Sequence, residues 1–334
     1  MLSARMLGHF DRVVARAARH FTDSRIETPS VSLLHDVRVA AAKEVRERHR
    51  VRAAELAGRM DEGDREAAEA YGALAERALG EMRAEVLARA SLPIRIVAGA
   101  HARFGDTDAT EHLDDPAFDH DARVRLLAYL DSLNTILGSY RAFFLALEPL
   151  LSRERPTRIL DLAAGHGGFA LAAMRMARER GLDLEITATD LRAEYLALGE
   201  EAARREDLRV RFEVQDALDL SNVARGAYDV VLCTQSIHHF PPSMVARVFR
   251  ESTRVAGRGV ALIDGARSVT HAMLVPTLAW LRYRELAFAH DAWVSFRRFY
   301  SPEELGLVCG LGPEGDALEA TWMPPSHCLV RWQR

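Results

Sequence analysis

The chain has 334 residues, with 48 Asp+Glu against 44 Lys+Arg and a formal charge of −4 at neutral pH. That length accommodates one large domain plus a smaller one, and so mild an acidic balance offers neither nucleic acid nor a membrane surface a bulk electrostatic attraction. The three cysteines, Cys233, Cys309 and Cys328, have no CxxC pair and no Cys/His metal spacing, which argues against a disulfide framework or a structural metal.

Residues 1–16 mix apolar side chains with Arg, His and Asp, too broken a run for a signal peptide or a spanning helix, so a cytoplasmic protein is expected. Residues 40–89 are rich in Ala, Glu, Arg and Leu with apolar steps of three and four; they predict helix, interrupted at Gly63 and Gly72. From 99 to 121 the pattern fades into Gly, Asp, Thr and Pro, a loop or lid. Leu126, Leu130, Leu133, Leu137, Tyr140, Phe144 and Leu147 then form a helical stripe, bent or divided at Gly138, that packs on a sheet and in part lines a ligand site. After Pro156 apolar strands (158–162, 184–189, 210–215, 228–234, 259–264) alternate with amphipathic helices (169–180, 194–204, 243–254), the pattern of a parallel, doubly wound sheet. Residues 272–289 predict one apolar helix, and Ser301-Pro302-Glu303-Glu304 a helix start with Ser as N-cap. Two short runs, 318–322 and 327–332, predict a closing antiparallel hairpin. The expected fold is therefore α/β: a Rossmann-like, doubly wound, mostly parallel seven-stranded sheet with an antiparallel C-terminal hairpin. An α-helical N-terminal region, 1–122, precedes it as lid or oligomerisation element, and the catalytic domain spans 123–334.

The first strand runs into Asp161-Leu162-Ala163-Ala164-Gly165-His166-Gly167-Gly168, a small-residue turn that opens a helix. Small side chains let a ligand approach the backbone, and the helix N-terminus offers free N–H groups. Asp190 ends the second strand, where a carboxylate can accept both hydroxyls of a ribose; Asp216 ends the third, within reach of an adenine amino group. Taken singly each Asp reads as a cap or turn residue. As a set they present complementary groups along one crevice, the ligand position of an open α/β sheet.

With these motifs, the chain from about Asn134 onward resembles the class I S-adenosylmethionine-dependent methyltransferases, in their small-molecule branch. The resemblance implies S-adenosylmethionine as cofactor and S-adenosylhomocysteine as product. It matches Asp161, Gly165 and Gly167 to the first motif, with Ala163 in place of the usual first glycine, an exchange tolerable if the backbone there keeps negative φ. It further implies that Asp190 holds the ribose, that Leu191 packs on the adenine and that Asp216 with the N–H of Ala217 reads its edge. Thr234 and Gln235 would sit beside the methionine part, and Arg141 would pair with its carboxylate.

His238 and His239, in Ser236-Ile237-His238-His239-Phe240, fall at the mouth of that crevice. An imidazole titrates near neutrality and can take a proton from a phenol, hydroxyl or amine as a methyl group moves. Adjacent residues on extended chain face opposite ways, so at most one is expected to be the base. The insertion 265–300 is where the resemblance places the acceptor pocket, with Asp264, His271, His290, Asp291, Trp293 and Arg298 as candidate substrate residues. No metal is expected, since Asp264 alone does not supply a catechol-type carboxylate group. The reading is methyl transfer to a small organic molecule, an aromatic or polyketide-like metabolite, in a possible homodimer. RNA or protein methylation is the alternative, without an amine motif after the fourth strand or a basic face to favour it; so is a non-catalytic cofactor-binding or interaction protein.

Overall fold

The computed structural model describes residues 4–24, 29–105 and 107–334. Five parallel strands, β1 (Thr157–Leu162), β2 (Leu184–Asp190), β3 (Val210–Val214), β4 (Tyr228–Thr234) and β5 (Ala256–Gly265), are followed by β6 (Leu318–Met323) and β7 (His327–Gln333). The sheet order is β3-β2-β1-β4-β5-β7-β6, with β7 antiparallel to both β5 and β6. The expected seven-stranded sheet and its hairpin are the ones formed. Strand order reverses between β1 and β4, which opens a crevice at their carboxyl ends.

Alternation along the strands sets the two faces. Leu160, Leu162, Val231, Cys233, Val260 and Leu262 point into one core, where helix α9 (Pro242–Val255) packs. Ile159, Val230, Leu232, Ala261 and Ile263 point into the other, under the helices α6 (Ser139–Leu147) and α7 (Gly168–Arg180). Helix α8 (Ala193–Arg205) covers β2 and β3.

Before the sheet come α1 (Ala4–Ser24), α2 (Pro29–Asp61), α3 (Arg65–Arg89), α4 (Leu92–Gly105) and α5 (His120–Leu137); after β5 come α10 (Val269–Tyr283), α11 (Leu286–Arg298) and α12 (Pro302–Cys309). Leu34, Val45, Leu56, Tyr71, Leu79 and Met82 of α2 and α3 share the core of α9 and the sheet. Gly63, at φ +86, marks the expected break between α2 and α3. Gly72 does not interrupt helix: it lies inside α3, where an added Cβ would stand 3.0 Å from Ser243, so its small size lets α3 approach α9. The expected loop from 99 begins later, because α4 continues through Gly99 to Gly105. The expected helix 272–289 is two helices, α10 and α11, divided after Tyr283 where Arg284 turns left-handed at φ 56. Gly138, at φ +75, divides α5 from α6 as anticipated.

A buried charge cluster docks α12 on the N-terminal helices. Ser301 and Glu304 form a reciprocal capping box. The same Glu304 carboxylate accepts from Arg83 at 2.8 Å and pairs with Arg267 at 3.4 Å. Burial disfavours its charge, but Arg267, Arg83 and Arg38 outweigh that and hold the carboxyl well below its ordinary range. Removing one partner of a buried pair leaves the other uncompensated. Glu304→Ala is therefore expected to destabilise the protein by about 3–5 kcal/mol. Urea unfolding against wild type, with the exposed pair variant Glu201→Ala near zero, checks this.

Candidate active site

The turn after β1 is built from left-handed residues. Ala163, Gly165 and Gly167 have φ of 49, 59 and 73. Gly167 has no alternative, since a Cβ there would fall 2.7 Å from the Phe212 ring. At Gly165 a Cβ would meet nothing within 4 Å, so the space beside it is open to a ligand. The expectation of negative φ at Ala163 is overturned: the turn holds this alanine in the region that costs an L-residue roughly 1–2 kcal/mol. Ala163→Gly is therefore expected to stabilise the ligand-free protein, by about 0.5–1 kcal/mol after the glycine's greater unfolded-state freedom is counted. Chemical unfolding reads the gain, and an unchanged or lowered midpoint would mean the turn is not strained there.

Asp190, at the end of β2, accepts from the Gly165 N–H at 2.8 Å with one carboxylate oxygen and from Arg192 N–H at 2.9 Å with the other. Asp216, just past β3, accepts from Leu218 N–H at 2.8 Å. Gly165, Asp190 and Asp216 line one cavity of about 460 Å³, together with Ala163, Leu191, Ala217, Thr234 and Gln235. Leu191 is 65% exposed beside it, an apolar side chain with a free face. Gln235, itself left-handed at φ 56, is fixed by a reciprocal amide pair with Asn134 of α5 at 2.9 and 3.0 Å.

Asp161 and Gly167 do not line the cavity. Asp161 is 1% exposed beneath the turn, one of its carboxylate oxygens without a hydrogen-bond partner, and burial with Asp190 nearby pushes its carboxyl well above the ordinary range. An acid raised in the fold keeps its stabilisation below the unfolded value and loses it as pH climbs through the folded one. Asp161→Asn is accordingly expected to match wild-type stability near pH 4 and exceed it at pH 8. Equal unfolding midpoints at both pH values would remove the burial argument. Arg141 stands exposed on α6, outside the cavity, and the structure gives it no place beside a cofactor.

The two histidines lie on a single 3₁₀ turn, Ile237–His239, and their ring centroids are 4.1 Å apart. They are not on extended chain, so both reach the same cavity. His238 is buried. Its Nδ1 donates to Asp264 at 2.9 Å, its backbone N–H to the same carboxylate at 2.7 Å, and its Nε2 faces Glu111 Oε1 at 3.4 Å. Burial disfavours its charge, but Asp264 and Glu111 overcome this and raise the imidazole to about 10. His239 Nδ1 lies 3.1 Å from Asp114, which also pairs with Arg298 at 3.5 Å.

Glu111 and Asp114 belong to the segment 107–118, which is drawn across the mouth. Tyr195 donates to Leu113 O at 3.0 Å, Arg192 to Asp114 O at 2.9 Å and Ser295 to Glu111 at 2.8 Å. Asp291 accepts from the N–H groups of His112 and Leu113 at 2.8 and 3.1 Å. Of the expected substrate residues, Asp264 and Asp291 line the cavity. His271, His290, Trp293 and Arg298 do not: His271 bonds Ser268 at 3.0 Å, His290 sits against Asp291, Trp293 packs edge-on to Phe104, and Arg298 donates to Ala109 O at 2.6 Å. The apolar wall is instead made by Leu127, Leu130, Leu133, Phe288, Phe296 and Phe299. The α5 stripe thus lines the ligand space over much of its length, more than the expected packing on the sheet.

Residues 159–259 match the family model described as "Methyltransferase domain". A demethylmenaquinone methyltransferase of Deinococcus radiodurans is 32% identical over 112 residues, 33% of this chain and 44% of that one. A ubiquinone biosynthesis O-methyltransferase of Xanthomonas axonopodis pv. citri is 29% identical over 115 residues, 34% and 46% of the two chains. The chain thus spans less than half the length of these curated relatives. Among solved structures, an O-methyltransferase family protein from Burkholderia thailandensis aligns with a TM-score of 0.47 at 18% identity, over 71% of this chain and 66% of that one. Over residues 159–259 the chain thus carries a methyltransferase domain.

Proposed function

We propose that the protein is an enzyme that transfers a methyl group from S-adenosylmethionine to a small organic acceptor, of aromatic or polyketide-like character, enclosed between α5, α10–α11 and the carboxyl edge of the sheet. The observation that supports this most directly is the continuity of one cavity from the strand ends, with Gly165, Asp190 and Asp216, to an aromatic-walled region beside Glu111, His238 and His239. Its size falls in the range of small-molecule sites, with few polar groups among apolar walls. Among the described residues no helix is long and apolar enough to cross a membrane.

In this reading the open space at Gly165 and the remaining lone pairs of Asp190 fit the sugar, Asp216 and Ala217 face the base, and Thr234 and Gln235 flank the methionine part. When bound, the cofactor supplies an electrophilic methyl group. The chain's own residues orient the acceptor along the line of displacement and exclude water. The mouth cluster of Glu111, His238 and His239 holds the charge that develops as the acceptor gives up its proton.

Asp190→Ala is expected to abolish S-adenosylhomocysteine binding in isothermal titration, while His238→Gln and His239→Gln retain it and lower turnover on a panel of hydroxylated aromatic acceptors by roughly 10²–10⁴-fold. Normal binding by the Asp190 variant would refute the ribose assignment. Cofactor binding without methylation of any small molecule, and with methylation of protein or RNA, would refute the acceptor class.

A further inference from the structure

The cavity mouth carries a donor set of a particular kind. Glu111, His238 and His239 each offer one ligand atom, and the three atoms lie within 4.8 Å of one another. His238 Nε2 belongs to a side chain 5% exposed and has no hydrogen-bond partner, although Glu111 Oε1 is 3.4 Å away. Leaving such a nitrogen unsatisfied costs about 1–3 kcal/mol. Two donors each about 2.1 Å from one cation at a tetrahedral angle stand roughly 3.4 Å apart, so that separation suits two ligands of one ion.

The surrounding groups have the matching arrangement. His238 Nδ1 is held by Asp264 at 2.9 Å and His239 Nδ1 by Asp114 at 3.1 Å. A carboxylate on Nδ1 holds a proton there, as behind metal-bound histidines, and leaves Nε2 as the nitrogen a cation would take in place of the second proton of the imidazolium. Glu111 is oriented in turn by Ser295 at 2.8 Å. A second group, His112, His290 and Asp291, is also close-set. There Asp291 already accepts from two backbone N–H groups and from His112 Nδ1 at 2.7 Å, the geometry of a hydrogen-bonded latch.

We propose that Glu111, His238 and His239 form a two-histidine, one-carboxylate site for a first-row divalent cation, its open positions facing the cavity. Nitrogen donors with one carboxylate suit Zn²⁺, Mn²⁺, Fe²⁺ or Co²⁺ rather than Mg²⁺ or Ca²⁺. An acceptor hydroxyl entering an open position ionises more readily: its O–H bond breaks, the proton passes to water, and the oxygen keeps the electron pair on the cation. The acceptor class this names, a hydroxylated one, rests on the methyl-transfer reading; the cation site rests on the donor geometry alone.

Protein stripped with a chelator and titrated with Co²⁺ tests the site, followed by visible absorption and equilibrium dialysis, with S-adenosylhomocysteine binding measured on the same sample. One equivalent of Co²⁺ with visible d–d bands is expected. Glu111→Gln should weaken that binding by roughly 100-fold or more while keeping S-adenosylhomocysteine affinity, and His290→Gln should leave the bands intact. Absence of stoichiometric binding in protein that binds S-adenosylhomocysteine, or bands that survive Glu111→Gln, overturns the proposal. Co²⁺ binding with the expected variant pattern but no S-adenosylhomocysteine binding upholds the site and instead refutes the cofactor reading.

Discussion

The bond from Gly165 N–H to Asp190, 2.8 Å long, is the constraint on which the strand-end part of the cavity depends. Parallel register pairs Asp161 of β1 with Ala188 of β2 and Asp190 with Val214 of β3, so three strands finish nearly in step. The turn beyond β1 can then reach sideways to the Asp190 carboxylate. A carboxylate has about four acceptor directions and two are used by backbone N–H groups, which leaves the rest free on the cavity side. One side chain thereby fixes the turn and keeps acceptor positions at the cavity wall. The left-handed residues at 163, 165 and 167 follow from the tightness of that turn, and so does the close approach of Phe212 to Gly167.

The cavity mouth depends on a different arrangement, the docking of the N-terminal region on the sheet. Helices α2 and α3 bury Leu56, Tyr71 and Leu79 in the same core as Val231 and Leu262. The chain that continues from them through α4 reaches the cavity mouth at 107–118, where Asp291, Ser295, Tyr195 and Arg192 hold it. Glu111 arrives beside His238 only because that path is fixed at both ends. The mouth is therefore assembled from four separate stretches of chain around residues 111, 238, 264 and 295.

This division explains what the sequence disclosed and what it concealed. Strands and the three acids at their ends were legible because β periodicity is local and a parallel sheet places successive carboxyl ends together. The Ser301 cap and the Gly63 and Gly138 breaks were legible for the same reason. Glu111 was not: it sits in a stretch of Gly, Asp, Thr and Pro with no periodicity, and nothing near it in sequence announces burial. Gly72 read as an interruption because residue identity does not distinguish a helix breaker from a close helix contact. Arg284 in the left-handed region gives no signal either, so two helices read as one. The histidine pair was placed on extended chain, whereas a single 3₁₀ turn brings both rings to the cavity.

Two buried acidic groups show how differently the protein treats the same chemistry. Glu304 is satisfied within the chain: Arg83 and Arg267 lie at one oxygen, the Ser301 N–H at the other, and it faces packed helices. Around His238, Asp264 on Nδ1 and Glu111 facing Nε2 bring two carboxylates to one imidazole, yet Nε2 makes no hydrogen bond and has only the Glu111 ion pair at 3.4 Å. Buried ion pairs contribute little net stability even when complete, so an incomplete one at a cavity wall is poorly explained by folding. His238 lines the cavity, whose apolar walls lower the local dielectric and strengthen charge interactions there. Helix-docking regions also keep buried polar atoms without a hydrogen bond, at His101 and Glu303, so what sets the His238 cluster apart is its place on the cavity wall.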